Sequence, residues 1–169
     1  MLAGSTYVRV DGDSTRVALN ADVEFNNDTA YDYAEGWLII DGQAVHVPGT
    51  ASALSQSISI TAGKTYRVAL DVDEITAGSV QVKLTGGSEV LGDLVTTSGL
   101  KRSKLTAVSG NTHIALGSSS PLEGAFNSLT IFEETAGCVD AGDWNYWVEP
   151  LNSEAIAGPI SGPFVASIL

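Results

Sequence analysis

The groups in this chain that could do chemistry are two histidines, one cysteine and a large set of carboxylates. A hydrolytic nucleophile needs a base within reach. Cys138 lies near Asp140 but has no activating base beside it, and no serine sits in a nucleophile-elbow context. Neither a glycine-rich phosphate loop nor a histidine pair at metal spacing is present. His46 and His113 each read as the polar side of a predicted strand. Asp71, Asp73 and Glu74 are the closest carboxylates of interest, and Asp71 and Asp73 fall on one side of an extended chain. A glycosidase would hold two such groups at a set separation across a sugar cleft. Here the alternation and the turn that follows read instead as a solvated strand end. The metal chemistry open to Asp71 and Asp73 is a structural calcium bridged with nearby carbonyl oxygens, without EF-hand spacing. The expectation is a protein that is not an enzyme, with no cofactor beyond that calcium.

Binding chemistry is better represented than catalysis. Tyr31, Tyr33 and Trp37 could stack on sugar rings if their faces are exposed, although Trp37 reads most simply as a core residue. Trp144, Tyr146 and Trp147 are concentrated near the carboxyl end, ahead of an apolar segment containing Ile160 and Phe164. Aromatics of this kind are enriched at interface hot spots, and these five residues are the candidate partner-binding set.

The elements that must position these groups are strands. Tyr66, Val68, Leu70 and Val72 alternate with Thr65, Arg67, Ala69 and Asp71, and Val80, Val82 and Leu84 alternate with Ser79, Gln81 and Lys83. A period of two places each apolar set on one face of a sheet. Polar second faces specify an antiparallel sandwich rather than a parallel sheet. Further strands are expected at Val23 to Phe25, Trp37 to Ile40, Gln43 to Val47, Ser52 to Ile60, Leu105 to Val108, His113 to Leu116 and Leu129 to Phe132. Asp41-Gly42 between two of these runs is a hairpin signal. Ala62-Gly63 gives another turn, and Tyr66 can bury its ring while its hydroxyl finds a backbone partner nearby. The expected fold is all-β, a jelly-roll sandwich of about eight strands over residues 22–134. Residues 1–21 read as an amino-terminal arm or hairpin, with Asp11-Gly12-Asp13 as its turn, and 135–169 as a carboxyl-terminal docking arm.

A net charge of −12 with only eight Lys and Arg would repel phosphates, so no nucleic-acid partner is expected. Lys101, Arg102 and Lys104 are the one basic cluster, read as a solvated loop. One cysteine excludes an internal disulfide framework. The first residues lack the basic and apolar regions of a signal peptide. The uncharged run from Ala155 to Leu169 is short of the roughly 20 residues that span a bilayer, and Pro159 and Pro163 break it. Folding in a cytoplasm, without a membrane partner, is the expectation.

Several phrases carry a family resemblance. Val23-Glu24-Phe25-Asn26-Asn27 is similar to a first strand of the carbohydrate-binding-module-like jelly-roll domains of bacteriophage virion proteins. Trp37, Ile39, Gly42, Ala44 and His46 follow its tryptophan-hairpin pattern. Leu54-Ser55-Gln56, Ile60 to Val68, Thr76 to Val82 and Gly124 to Ile131 continue it. The resemblance implies a virion structural protein, a capsid decoration subunit on the outer surface of the head. It would bind the major capsid protein or other virion subunits as a homo-oligomer on a symmetric lattice. The alternative it implies is a carbohydrate-binding module of a tail receptor-recognition apparatus, with a glycan as ligand.

Overall fold

A computed structural model describes residues 17–134, 142–148 and 161–168. Cys138, Ile160 and the amino-terminal hairpin at residues 7–16 lie outside the described residues. Two compact units divide the chain, Val17–Glu134 and a second formed by Met1–Arg16 with Thr135–Leu169.

The larger unit is an antiparallel sandwich of ten strands. These are β1 (Asp32–Tyr33), β2 (Trp37–Ile40), β3 (Gln43–His46), β4 (Ala53–Ser57), β5 (Thr65–Ala77), β6 (Val80–Thr85), β7 (Val90–Val95), β8 (Gly99–Thr106), β9 (His113–Ser118) and β10 (Glu123–Glu133). One sheet runs β1-β4-β9-β6-β7 and the other β2-β3-β10-β5-β8. Every strand pairing within these sheets is antiparallel. The second unit contributes β11 (Gly142–Val148) paired antiparallel with β12 (Ser161–Ile168), which aligns Tyr146 with Phe164.

Alternation explains the core. Tyr66, Val68, Leu70 and Val72 of β5, Val80, Val82 and Leu84 of β6, and Ile114 and Leu116 of β9 are all buried between the sheets. Phe126, Leu129 and Ile131 of β10 complete the facing layer. The Asp41-Gly42 turn has both residues at positive φ, 51° and 76°. Positive φ at both central residues is the geometry that matches the right-handed twist of a two-residue hairpin. It joins β2 to β3 with Ile40 opposite Gln43 and Trp37 opposite His46.

That register overturns one sequence expectation. His46 is fully buried, not on a solvent face. Directly paired residues share a face, so the inward Trp37 draws His46 in with it. His46 Nδ1 lies 2.8 Å from the Leu122 carbonyl oxygen, and its ring meets Trp37 edge-on at 4.8 Å. Val23 to Phe25 also departs from expectation: it is a bend rather than a strand, with Phe25 buried at φ 52°. The basic cluster Lys101, Arg102 and Lys104 lies on β8, within a strand instead of a loop. Among the described residues no helix is long and apolar enough to cross a membrane.

Candidate functional site

Asp71 and Asp73 lie within β5, which continues to Ala77, so they are mid-strand rather than at a strand end. Their neighbours come from two distant parts of the chain. Gln43 Nε2 donates to Asn127 Oδ1 at 2.7 Å and approaches Asp73 Oδ2 at 3.3 Å. Asn127 Nδ2 in turn donates to Asp71 Oδ2 at 3.3 Å. The result is a hydrogen-bonded row of two amides and two carboxylates on the outer face of the second sheet.

Irregularities in pairing build this row. Between β10 and β5, Ala125 opposes Glu74 while Phe126 opposes Val72, which leaves Asp73 as an extra residue on β5. One step further, Phe126 opposes Val72 while Ser128 opposes Asp71, and Asn127 becomes the extra residue on β10. Bulges re-aim side chains that a regular ladder would send elsewhere. Here both extra residues join the same row. Buried Ala44 opposes buried Phe126, so the neighbouring Gln43 is turned outward beside Asn127.

Aliphatic side chains continue the row at both ends. Ile40 pairs with Gln43 and is 55% exposed, and Leu100 pairs with Asp71 and is 41% exposed. Ile40, Gln43, Asn127, Asp71 and Leu100 therefore cross all five strands. Four interstrand steps of about 4.8 Å make a track roughly 19 Å long. Leu38, 54% exposed, widens the apolar end.

Chemically, the row offers spare carboxylate lone pairs and amide groups held in place by one another. Such a surface can accept and donate hydrogen bonds at once, which suits a polyhydroxylated ligand. Fixing the side chains beforehand lowers the entropy lost on binding. No third carboxylate or histidine joins Asp71 and Asp73 as a metal-binding group among the described residues.

The aromatic candidates are arranged differently. Trp37 is 3% exposed, wedged between His46 and Phe126, and so presents no ring face to a sugar. Tyr31 is 7% exposed, packs on Phe25 and donates its hydroxyl to the Asp22 carbonyl at 2.6 Å. Burial, reinforced by the Asp22 charge, raises its phenol well above the ordinary range. Only Tyr33 of the three is substantially exposed, on the edge strand β1. The sugar-stacking trio is therefore not a platform: inward-facing positions and ring packing take two of its members. Trp144, Tyr146 and Trp147 lie on β11 and Phe164 on β12. Gln43 and Asn127 were not singled out from sequence. The signal for Asn127 was the broken alternation through Phe126-Asn127-Ser128.

No protein-family profile matches the chain, and no curated protein matches it. Several solved structures are similar in outline. One, named "Carbohydrate binding module family29", has a TM-score of 0.48 at 13% identity, covering 70% of this chain and 86% of its own. A variant of a family 29 module complexed with cellulohexaose gives 0.49 at 11% identity, covering 70% and 90%. Another variant gives 0.46 at 15%, covering 75% and 96%. Identities this low do not carry side chains from one protein to another.

Proposed function

We propose that this chain is a non-catalytic glycan-binding module. The observation that carries the reading is the row Gln43–Asn127–Asp71–Asp73, hydrogen-bonded across three strands and flanked by exposed Ile40 and Leu100. Sugar rings present adjacent hydroxyls on an apolar ring frame. Amides and carboxylates at fixed spacing engage the hydroxyls, and aliphatic neighbours cover the frame. The length of the track suits a chain of sugars lying across the strands.

The test is calorimetric titration of the whole protein with a panel of neutral oligosaccharides, followed by the Asn127→Ala variant. Asn127→Ala removes two of the three hydrogen bonds that tie the row together and leaves Gln43 on Asp73 alone. Saturable binding that falls by about tenfold or more in the variant supports the reading. Binding to no member of the panel, or binding indifferent to Asn127, sinks it.

A second reading keeps the chain as a structural subunit on a phage shell. The hairpin of β11 and β12 favours it. Among the described residues this sheet has two strands, so each keeps one edge without a strand partner. An open edge can extend a neighbouring sheet. Binding assembled shells but not free subunits would stabilise the particle by mass action. Co-sedimentation of the protein with purified shells, and its loss on deleting residues 135–169, would support this role. A protein that never sediments with shells would exclude it.

A further inference from the structure

Past Leu100 the track reaches the edge of its sheet, where β7 and β8 line a cleft of about 310 Å³. This is near the small end of the roughly 300–1,000 Å³ common for small-molecule sites. Lys101 and Arg102 line it from β8 and Asp93 from β7, with Thr96 and Thr97 from the connection between them. Leu94, 63% exposed, and Leu100 give it apolar surface.

The two cations here differ from the other described lysines and arginines. Lys64 pairs with Glu133, Lys83 with Glu89, and both Arg67 and Lys104 with Glu134. Lys101 and Arg102 have no carboxylate partner among the described residues, and Asp93 forms no ion pair with either. Lys101 Nζ donates to Thr97 Oγ1 at 2.8 Å. The Nε of Arg102 is buried with no hydrogen-bond partner. In a chain of net charge −12, two cations without an ion-pair partner therefore line one cleft, which holds a single carboxylate, Asp93.

We propose that this cleft is an oxyanion subsite that takes a carboxylate or sulfate substituent of a glycan lying along the Gln43–Asn127–Asp71 row. The glycan part of this rests on the function proposed above. A guanidinium fork can hold two oxygens of a carboxylate or sulfate, and an ammonium adds a mobile point charge beside it. Leu94 and Leu100 lower the local dielectric and strengthen that attraction. Asp93 and Thr96 accept hydrogen bonds from hydroxyls next to the anionic group and so orient its ring. The acidic remainder of the protein repels a densely charged polyanion, so the preferred ligand carries an isolated anionic group among neutral sugars.

The test compares xylotetraose with xylotetraose bearing a single glucuronate, using the full chain. Free glucuronate and inorganic sulfate serve as anion controls. Calorimetry gives the affinities, and backbone amide NMR shifts over residues 93–103 report the cleft. The expected result is at least about tenfold tighter binding of the glucuronate-bearing sugar. That gain should shrink with added salt, fall in Lys101→Gln and vanish in Arg102→Gln. Equal affinity for the two sugars overturns the subsite, as does an acid preference that survives both substitutions. Inorganic sulfate that binds as tightly as the glucuronate-bearing sugar overturns its assignment to a glycan substituent. Failure of the row is separable: glucuronate preference that persists in Asn127→Ala, with no xylotetraose binding in wild type, retains the subsite and removes the row.

Discussion

The hydroxyl of Tyr66 accepts a 2.7 Å hydrogen bond from the backbone amide of Thr61, five residues earlier in the chain. The ring itself is fully buried, so one side chain anchors the core and also fastens the turn that leads into β5. Tyr66→Phe keeps the ring and leaves the Thr61 amide without its acceptor. A loss of about 1–2 kcal/mol is expected. It should appear as a lower urea midpoint with an unchanged slope. An unchanged midpoint would show that water replaces the hydroxyl without cost.

Two glycines separate conformational strain from collision. Gly63 has φ +84° and nothing within 4 Å of the position a Cβ would take. Gly78 has φ +73°, but there a Cβ would stand 2.6 Å from the Leu122 amide nitrogen and 2.7 Å from its Cα. Gly63→Ala should cost only the left-handed penalty, about 1–2 kcal/mol. Gly78→Ala must also displace backbone and should cost clearly more, measured by denaturant unfolding of both variants. Equal losses would mean that the Leu122 segment yields freely.

Within the polar row, Gln43→Glu replaces a donor with an acceptor facing Asp73 Oδ2 and Asn127 Oδ1. The new carboxyl should titrate above its unfolded value of about 4.3, because the fold disfavours its charge. The penalty is absent below the unfolded pKa, where the group is protonated in both states. It grows as pH rises through the folded pKa. The variant should therefore approach wild-type stability near pH 4 and fall below it near pH 7, and salt should shrink the gap. A pH-independent difference would rule out this account of the row.

Glu134 contributes acid-side behaviour of the opposite sign. Burial alone raises its carboxyl, but hydrogen bonds and charge from Arg67 and Lys104 outweigh it and leave the pKa below the ordinary value. Its stabilisation is present above the unfolded pKa and is lost as pH falls through the folded one. Glu134→Gln should lower the urea midpoint at pH 7 and converge with wild type as pH drops below about 4. A midpoint gap that is constant across this range would assign the effect to packing instead of charge.

Much of the sandwich was legible because β5, β6 and the Asp41-Gly42 hairpin follow simple alternation and turn rules. The inward position of His46 was also within reach. A two-residue turn fixes Ile40 opposite Gln43, and counting back three pairs puts Trp37 opposite His46. That coupling belongs to the hairpin and not to either strand alone. β7 escaped notice because Leu91 and Leu94 are both exposed, and a register shift between Gln81 and Lys83 breaks its pairing with β6. The polar row was half legible. Alternation put Asp71 and Asp73 on one face, but Gln43 and Asn127 reach them only through the strand order β3-β10-β5. Asp73 and Asn127 moreover join through bulges, which period-two reasoning does not capture. Charge alternation likewise gave no sign that Lys101 and Arg102, alone of the basic cluster, would lack carboxylate partners.

The pairing of Ala44 with Phe126 has a consequence for biosynthesis. The β2–β3 hairpin can close as soon as it leaves the ribosome, but its second edge must wait for β10. At about 5–20 residues per second, the 82 residues from 45 to 126 take roughly 4–16 s to synthesise. Through that interval the nascent chain carries an open edge with exposed Leu38 and Ile40 beside it. The carboxyl-terminal half of the domain thus acts as the cap for its amino-terminal half. Slowed elongation before residue 126 would lengthen the period in which that hairpin can meet the wrong strand.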